Sequence, residues 1–164
     1  MTQKKKFILD ACCGGRMMWF DKNHPNVVYA DVRQLDEVLC GTHPFEVSPD
    51  IQSDFTDMPF PDASFKLVVF DPPHLHKLGK NSWLAKKYGV LLPTWETDLK
   101  AGFDECWRVL EPFGILIFKW NEVQVPLSKI LSLIPYKPLF GHPTAKHGKT
   151  KWVCFMKIPD NLTE

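Results

Sequence analysis

Apolar residues gather in short unbroken runs, and acids, glycines or prolines close most of them. Phe7–Ala11, Val27–Asp31, Asp50–Phe55, Lys66–Phe70, Phe113–Trp120, Tyr136–Phe140 and Lys151–Met156 each read as a strand. The fullest of them are continuous rather than alternating, which marks strands covered on both faces. Between 95 and 110 the period changes. Leu99, Phe103, Cys106, Trp107 and Leu110 recur at helical spacing, so a helix packs here with Trp107 in the core. Thr94 opens it with Thr97 at the third position, a partial capping box, and Pro112 stops it. A second, shorter helix is predicted over Val125–Leu133, with Ile130, Leu131 and Ile134 inward and Pro135 ending it. Residues 33–50 are irregular, and a short helix near 34–39 and a small hairpin using Phe45-Glu46-Val47 are expected. Residues 75–93 show no clean period.

The central run is Leu67-Val68-Val69-Phe70, and it meets Asp71-Pro72-Pro73-His74. Proline lacks the backbone N–H and fixes φ, so the strand ends there, with a carboxylate in a rigid turn. In open α/β sheets the carboxyl edge of the strands is where ligands bind. The other acids fall alike. Asp10-Ala11-Cys12-Cys13-Gly14-Gly15 reads as strand and glycine turn, with a helix beginning in Arg16-Met17-Met18-Trp19-Phe20. Glycine lets a backbone approach a ligand closely, and a helix start offers unpaired N–H groups. The spacing is not the G-x-G-x-x-G of dinucleotide sites, which argues against NAD. Asp31 stands 21 residues after Asp10, where Rossmann-like sites hold a ribose diol, although a helix N-cap or a solvated turn would also place an acid there. Asp54 and Phe55 close a third short strand.

Composition narrows the partners. The chain has 164 residues, 45% of them hydrophobic, and a net charge of +1. One domain over 1–164 is expected, and binding to nucleic acid by bulk charge alone is excluded. The charge is uneven: residues 1–70 hold seven Lys/Arg against ten Asp/Glu, and residues 71–164 hold thirteen against nine. His74, His76, Lys77, Lys80, Trp83, Lys86, Lys87 and Tyr88 interleave cations with aromatics in a loop long enough to be functional. From Lys137 to Lys157 there are five lysines, two histidines and no acid, which suits either a phosphate-facing patch or a lysine-protected edge hairpin. Five cysteines without framework spacing, and a Lys4-Lys5-Lys6 leader running straight into a strand, predict a reducing, cytoplasmic protein. No apolar run is long enough to span a membrane. Cys12, Cys13, Cys40 and His43 contain no C-x2-C pair, so no structural metal is expected.

Taken together, these residues resemble the class I S-adenosylmethionine-dependent methyltransferases over nearly the whole chain. The resemblance implies a Rossmann-like α/β fold: a mostly parallel sheet, an antiparallel C-terminal hairpin strand and helices on both faces. It implies S-adenosyl-L-methionine as cofactor. Asp10, Ala11, Cys12 and Gly14 would lie in the first motif, under the methionine part. Asp31 would hold the ribose hydroxyls, and Asp54 with Phe55 would meet the adenine. Asp71-Pro72-Pro73-His74 is similar to the (Asp/Asn)-Pro-Pro-(aromatic) motif of amino-methyltransferases acting on nucleobases, with His74 in place of the usual aromatic residue.

That motif makes Asp71, Pro72 and His74 the catalytic candidates. A carboxylate and a rigid carbonyl can hold both hydrogens of an exocyclic amino group and enrich its nitrogen, while the fourth residue stacks on the base. Pro73, His76, Lys77, Trp83 and Tyr88 are the candidates for holding the substrate. The expected partner is DNA or RNA, with target recognition from residues 75–93 and the basic hairpin, or from a separate subunit or a homodimer. Two other readings stand beside this one: a small-metabolite methyltransferase with His74 or His76 as general base, and a non-catalytic module of the same fold.

Overall fold

The computed structural model describes residues 5–39, 43–79, 82–143 and 148–162. Chain order gives β1 (Ile8–Asp10), β2 (Val27–Asp31), β3 (Leu35–Leu39), β4 (His43–Val47), β5 (Ile51–Gln52) and β6 (Phe65–Phe70). There follow α1 (Trp83–Tyr88), α2 (Trp95–Val109), β7 (Leu110–Asn121), α3 (Leu127–Leu131), β8 (Phe140–Pro143) and β9 (Thr150–Met156). Seven strands form one sheet in the order β5-β2-β1-β6-β7-β9-β8. The first five run parallel; β9 is antiparallel to β7, and β8 is antiparallel to β9.

This order contains a switch point. From β1 the chain steps outward to β2 and β5, then returns to lay β6 on the other side of β1. A crevice therefore opens beyond the carboxyl ends of β1 and β6, where Asp10 and Asp71 stand. The register beside it is fixed: Phe70 is level with Phe118, so Asp71 and Lys119 follow side by side.

The main core lies on one face. Leu9, Val68, Phe70, Leu116, Phe118 and Phe155 meet Leu99, Phe103, Cys106 and Val109 of α2 and Ile130 of α3. Phe103 alone makes ring contacts with Phe70, Phe118 and Phe155. The helical spacing of the sequence thus identified the buried stripe. Trp107 is only half-buried, and it stacks on Tyr136 at 4.3 Å. Lys157 Nζ donates to the Trp107 and Leu110 carbonyls, so one lysine of the basic stretch ties down the carboxyl end of α2. Lys151 pairs with Glu122; Lys146 and His147 of that stretch, like Cys40 and Lys80, lie outside the described residues.

Several elements differ from the pattern: the third strand is only Ile51–Gln52, so Asp54 and Phe55 lie beyond it, α2 gives way to β7 at Leu110, before Pro112, and four larger differences follow. No helix follows β1; turns span residues 11–26 and cover β1 and β2 on the second face, with Trp19 packed against Tyr29, Val27 and Cys13. Arg16 explains this. Its φ of 53° is left-handed, which breaks a right-handed helix as it would begin. Its guanidinium stacks on Tyr29 and donates to the Lys22 and Ser48 carbonyls, which locks the turns. The second difference is at 35–39, where a strand of the β3–β4 hairpin replaces the expected helix. Third, the loop over 75–93 contains α1. Ser82 Oγ accepts from Leu84 N at its start, and Gly89 at φ 75° closes it. Fourth, the penultimate strand begins at Phe140 rather than Tyr136.

One contact sets how close α2 lies to the site. A Cβ on Gly102 would stand 2.6 Å from Phe55 Cδ2 and 2.8 Å from Phe70 Cζ. Gly102→Ala gains about 1 kcal/mol of helix propensity. It loses more by forcing α2 away from two packed rings, where overpacking costs about 1–3 kcal/mol. The expected result is a lowered urea midpoint, corresponding to a net loss of about 1 kcal/mol.

Candidate active site at the carboxyl edge of the sheet

Asp10 ends β1 and is fully buried. Trp19 Nε1 donates to its Oδ2 at 2.7 Å and the Cys12 amide to its Oδ1 at 3.3 Å. Burial raises the carboxyl to about 7; the two hydrogen bonds oppose this, and the Asp71 and Asp31 charges add to it. The consequence for stability has a definite sign. Between its ordinary value of 3.8 and about 7, the folded chain keeps a proton that the unfolded chain has lost. The contribution is therefore complete below about pH 4 and is lost as pH rises to about 7, at roughly 1.4 kcal/mol per unit. Urea unfolding at pH 5 and pH 8 should show Asp10→Asn removing a fall of roughly 3 kcal/mol that the native chain undergoes. Equal pH dependence in the two proteins would refute the buried-acid assignment.

Asp31 ends β2 and is 4% exposed. Its Oδ2 accepts from the Gly14 amide at 2.9 Å, so acid and glycine loop are joined directly. The remaining positions belong to Arg33. Its backbone N and Nε donate to Oδ1 at 2.9 and 3.0 Å, and its Nη2 to Oδ2 at 3.3 Å. The same guanidinium reaches the Lys86 carbonyl of α1 at 3.1 Å. Lys86 Nζ in turn pairs with Glu37 of β3. Arg33 thus spans the second strand, the glycine loop and the helix of the substrate-side segment.

The other candidates around this acid have mixed placements. Ala11 is buried and its amide donates to the Val69 carbonyl, which closes the β1 exit onto β6. Cys12 is half-buried, and burial pushes its thiol well above the ordinary range, so it is no nucleophile here. Asp54 is exposed and accepts from Thr56 N and Oγ1, both at 2.8 Å. Phe55 lies edge-on to Phe70 at 5.3 Å and belongs to the margin of the core.

Asp71, His74, Tyr88 and Lys119 line a second part of the edge. They share a cavity of about 440 Å³ with Leu75, Leu78, Leu84, Asn121, Val123, Gln124 and Thr150. Lys119 Nζ donates to Asp71 Oδ2 at 2.5 Å. It is the only hydrogen bond to that carboxylate among the described residues. Burial raises the Asp71 carboxyl, while Lys119 and His74 oppose the rise. Burial lowers the imidazole of His74, with Asp71 pulling the other way, so the ring is neutral at pH 7. His74 lies 5.9 Å from Tyr88 and 6.3 Å from Trp120. Pro72 is buried, and its carbonyl accepts no turn, loop or side-chain hydrogen bond among the described residues.

The segment over this cavity is tied down at several points. Gln124 Oε1 accepts from the amides of His76 and Lys77, and its Nε2 donates to the Lys77 carbonyl. A Cβ on Gly89 would stand 2.9 Å from Pro73 Cγ, so the end of α1 folds directly onto the proline turn. His76 and Lys77 are thus held by their backbones. Trp83 is elsewhere. With Lys87 it lines a separate, open groove of about 1160 Å³ beside Gly14, Arg16 and Phe45. The edge therefore brings Asp71, Pro73, His74 and Tyr88 together and sets Trp83 apart.

Sequence reasoning passed over Arg33, Lys119 and Gln124. Lys119 carried a signal, a charged residue ending the apolar run Ile115–Phe118 as Asp71 ends its own. Recognising the pair needs the knowledge that β6 and β7 are neighbours. Among the described residues no group of three or more metal-ligating side chains occurs, and no helix is long and apolar enough to cross a membrane.

No family model matches the chain, and no curated protein matches its sequence. Its fold is shared with solved structures. The PH0226 protein of Pyrococcus horikoshii OT3 superposes with a TM-score of 0.59 at 12% identity, over 95% of this chain and 84% of the other. The antibiotic-resistance methyltransferase Kmr superposes with a TM-score of 0.51 at 10% identity, over 96% and 89%. Identities this low speak to the fold alone. With the strand order and the antiparallel β9, the chain has a Rossmann-like α/β fold of the class I methyltransferase type.

S-adenosylmethionine, the cofactor this fold suggests, fits the donor set on one condition. Asp31 and Gly14 stand together at the β2 edge, and Gly14 has a φ of 48°. Among the described residues, and apart from the glycine's chain neighbours, Arg33 Nη2 at 3.7 Å is the only heavy atom within 4 Å of a Cβ built there. Gly14 also lines the open groove of about 1160 Å³, so the contact over it is a single side chain that can swing. Arg33 has to leave Asp31 for a ribose to take its place.

Proposed function

We propose that this chain transfers a methyl group from S-adenosylmethionine to an exocyclic amino group of a nucleobase in DNA or RNA. The observation that carries the reading is the Asp71 carboxylate. One oxygen is fixed on Lys119, and the group lines a cavity of about 440 Å³ together with His74 and Tyr88. That volume falls within the range of pockets that enclose a small planar ligand.

The bound cofactor would supply an electrophilic methyl group, and the chain's residues do the rest. Asp31, held in place by the Gly14 amide, would take the ribose hydroxyls, and the glycine loop would lie under the methionine part. Asp71 Oδ1 and the Pro72 carbonyl are two acceptors that can take the two N–H bonds of an amino group. Orienting these bonds turns the nitrogen lone pair out of conjugation with the ring and towards the methyl. His74 and Tyr88 offer ring surfaces for the base. Neutral His74 can accept the proton that the methylated nitrogen releases. A base reaches such a cavity only unstacked, so single-stranded or flipped nucleic acid is the substrate form.

Incubation with methyl-labelled S-adenosylmethionine and single-stranded DNA or RNA oligonucleotides tests the reading. Label is expected on a base amino nitrogen after digestion to nucleosides, in one of the two pools or both. Label on neither, with the cofactor bound, would remove it.

A further inference from the structure

The cavity at Asp71 contains a cation beside its acid. Lys119 comes from β7 and meets Asp71 because Phe70 and Phe118 are level in the sheet. An ammonium group has three N–H bonds and accepts none. One is committed to Asp71 Oδ2. The Trp152 ring lies 5.8 Å from Nζ and limits its swing towards β9. Lys119 lines the same cavity as Asp71, with Gln124 and Thr150 around it. A ligand held by Asp71 Oδ1 therefore meets an acceptor and, next to it, a donor.

We propose that Asp71 and Lys119 read two adjacent atoms of the base: the amino N–H at Asp71 Oδ1, and an unprotonated ring nitrogen beside it at Lys119 Nζ. This rests on the amino-methylation reading and narrows how the base is presented. Adenine and cytosine carry an acceptor ring nitrogen next to the amino group on the Watson–Crick edge. Guanine carries one only as N3, on the sugar side of its amino group; its Watson–Crick neighbour is N1–H, which would set donor against donor. The site thus takes adenine or cytosine by the Watson–Crick edge and guanine only through N3. An acceptor lost opposite a charged donor weakens recognition by about tenfold or more.

The test replaces single atoms of the substrate. Oligonucleotides of DNA and of RNA carry adenine, 1-deazaadenine, 7-deazaadenine, cytosine, 3-deazacytosine, guanine or 3-deazaguanine at one position, and kcat/KM for methyl transfer by the native chain is measured. The expected result is transfer to at least one natural base, and a loss of about tenfold or more when the ring nitrogen beside its amino group becomes carbon. Lys119→Met should bring the natural base down to the level of its deaza form, and Lys119→Arg should retain the discrimination. Equal rates on natural and deaza bases in the native chain overturn the inference even if Lys119→Met fails to fold. Transfer to guanine that is unchanged in 3-deazaguanine also overturns it. No transfer to any base defeats the amino-methylation reading itself.

Discussion

Asp71→Asn is expected to lower methyl transfer by about 10²–10³-fold while cofactor affinity stays within a few-fold of the native value. The reason lies in the donor bookkeeping around one side chain. In the native chain Lys119 donates to Oδ2 and leaves Oδ1 as an acceptor for substrate. An asparagine can satisfy Lys119 only by turning its carbonyl oxygen to it. Its NH2 group then points where Oδ1 was, and a substrate amino group meets donors instead of an acceptor. Shape and packing barely change, so loss of activity without loss of fold isolates the acceptor role. Single-turnover transfer of labelled methyl, with calorimetry for the cofactor, checks it. Native-like transfer by the Asn variant would rule out an acceptor function for Asp71. Asp71→Ala is a blunter variant, because it leaves the Lys119 ammonium in a half-buried site without its partner.

The cofactor side should respond in opposite directions to two neighbouring substitutions. Asp31→Ala removes the carboxylate that ends β2, and S-adenosylmethionine affinity should fall by about 100-fold or more, as two hydrogen bonds to a charged group are lost. Arg33→Ala should raise affinity by about tenfold. Arg33 occupies acceptor positions of Asp31 and touches the space over Gly14. Every molecule in this arrangement must first release it, and apparent affinity is reduced by the fraction not yet open. Release also breaks the bond from Arg33 to the Lys86 carbonyl, so α1 should loosen as the cofactor enters. Calorimetric titration of both variants, with amide exchange over 82–89, measures the two effects. Weaker binding in Arg33→Ala would mean that the guanidinium contacts the cofactor instead of making way for it.

Local chemistry was legible where a rule of short range decided it. The unbroken apolar runs located β2 and β6 within a residue, because a strand covered on both faces has no polar positions to confuse its ends. The spacing of Leu99, Phe103 and Cys106 named the buried stripe of α2. The acids at the ends of β1, β2 and β6 were readable as edge residues because prolines, glycines or turns follow each. The helix expected after Gly15 failed for a reason that no propensity contains. Arg16 is held in a left-handed turn by Tyr29, Lys22 and Ser48, the last lying 32 residues away. At 33–50 the apolar residues fit a short helix or a strand equally well, and pairing between β3 and β4 settled it.

The sequence by itself determined that a carboxylate and two prolines would end a central strand, that further acids would end its neighbours, and that the fold would be α/β. These depend on φ restriction, hydrogen-bond loss at proline and the period of apolar residues, all properties of a few consecutive positions. Only the tertiary structure decided what those acids face. Asp10 meets an indole, Asp31 a guanidinium and Asp71 an ammonium. Strand order and register put Lys119 beside Asp71, 48 residues apart in the chain, because adjacency in a sheet is set by which apolar faces bury together and not by distance along the sequence.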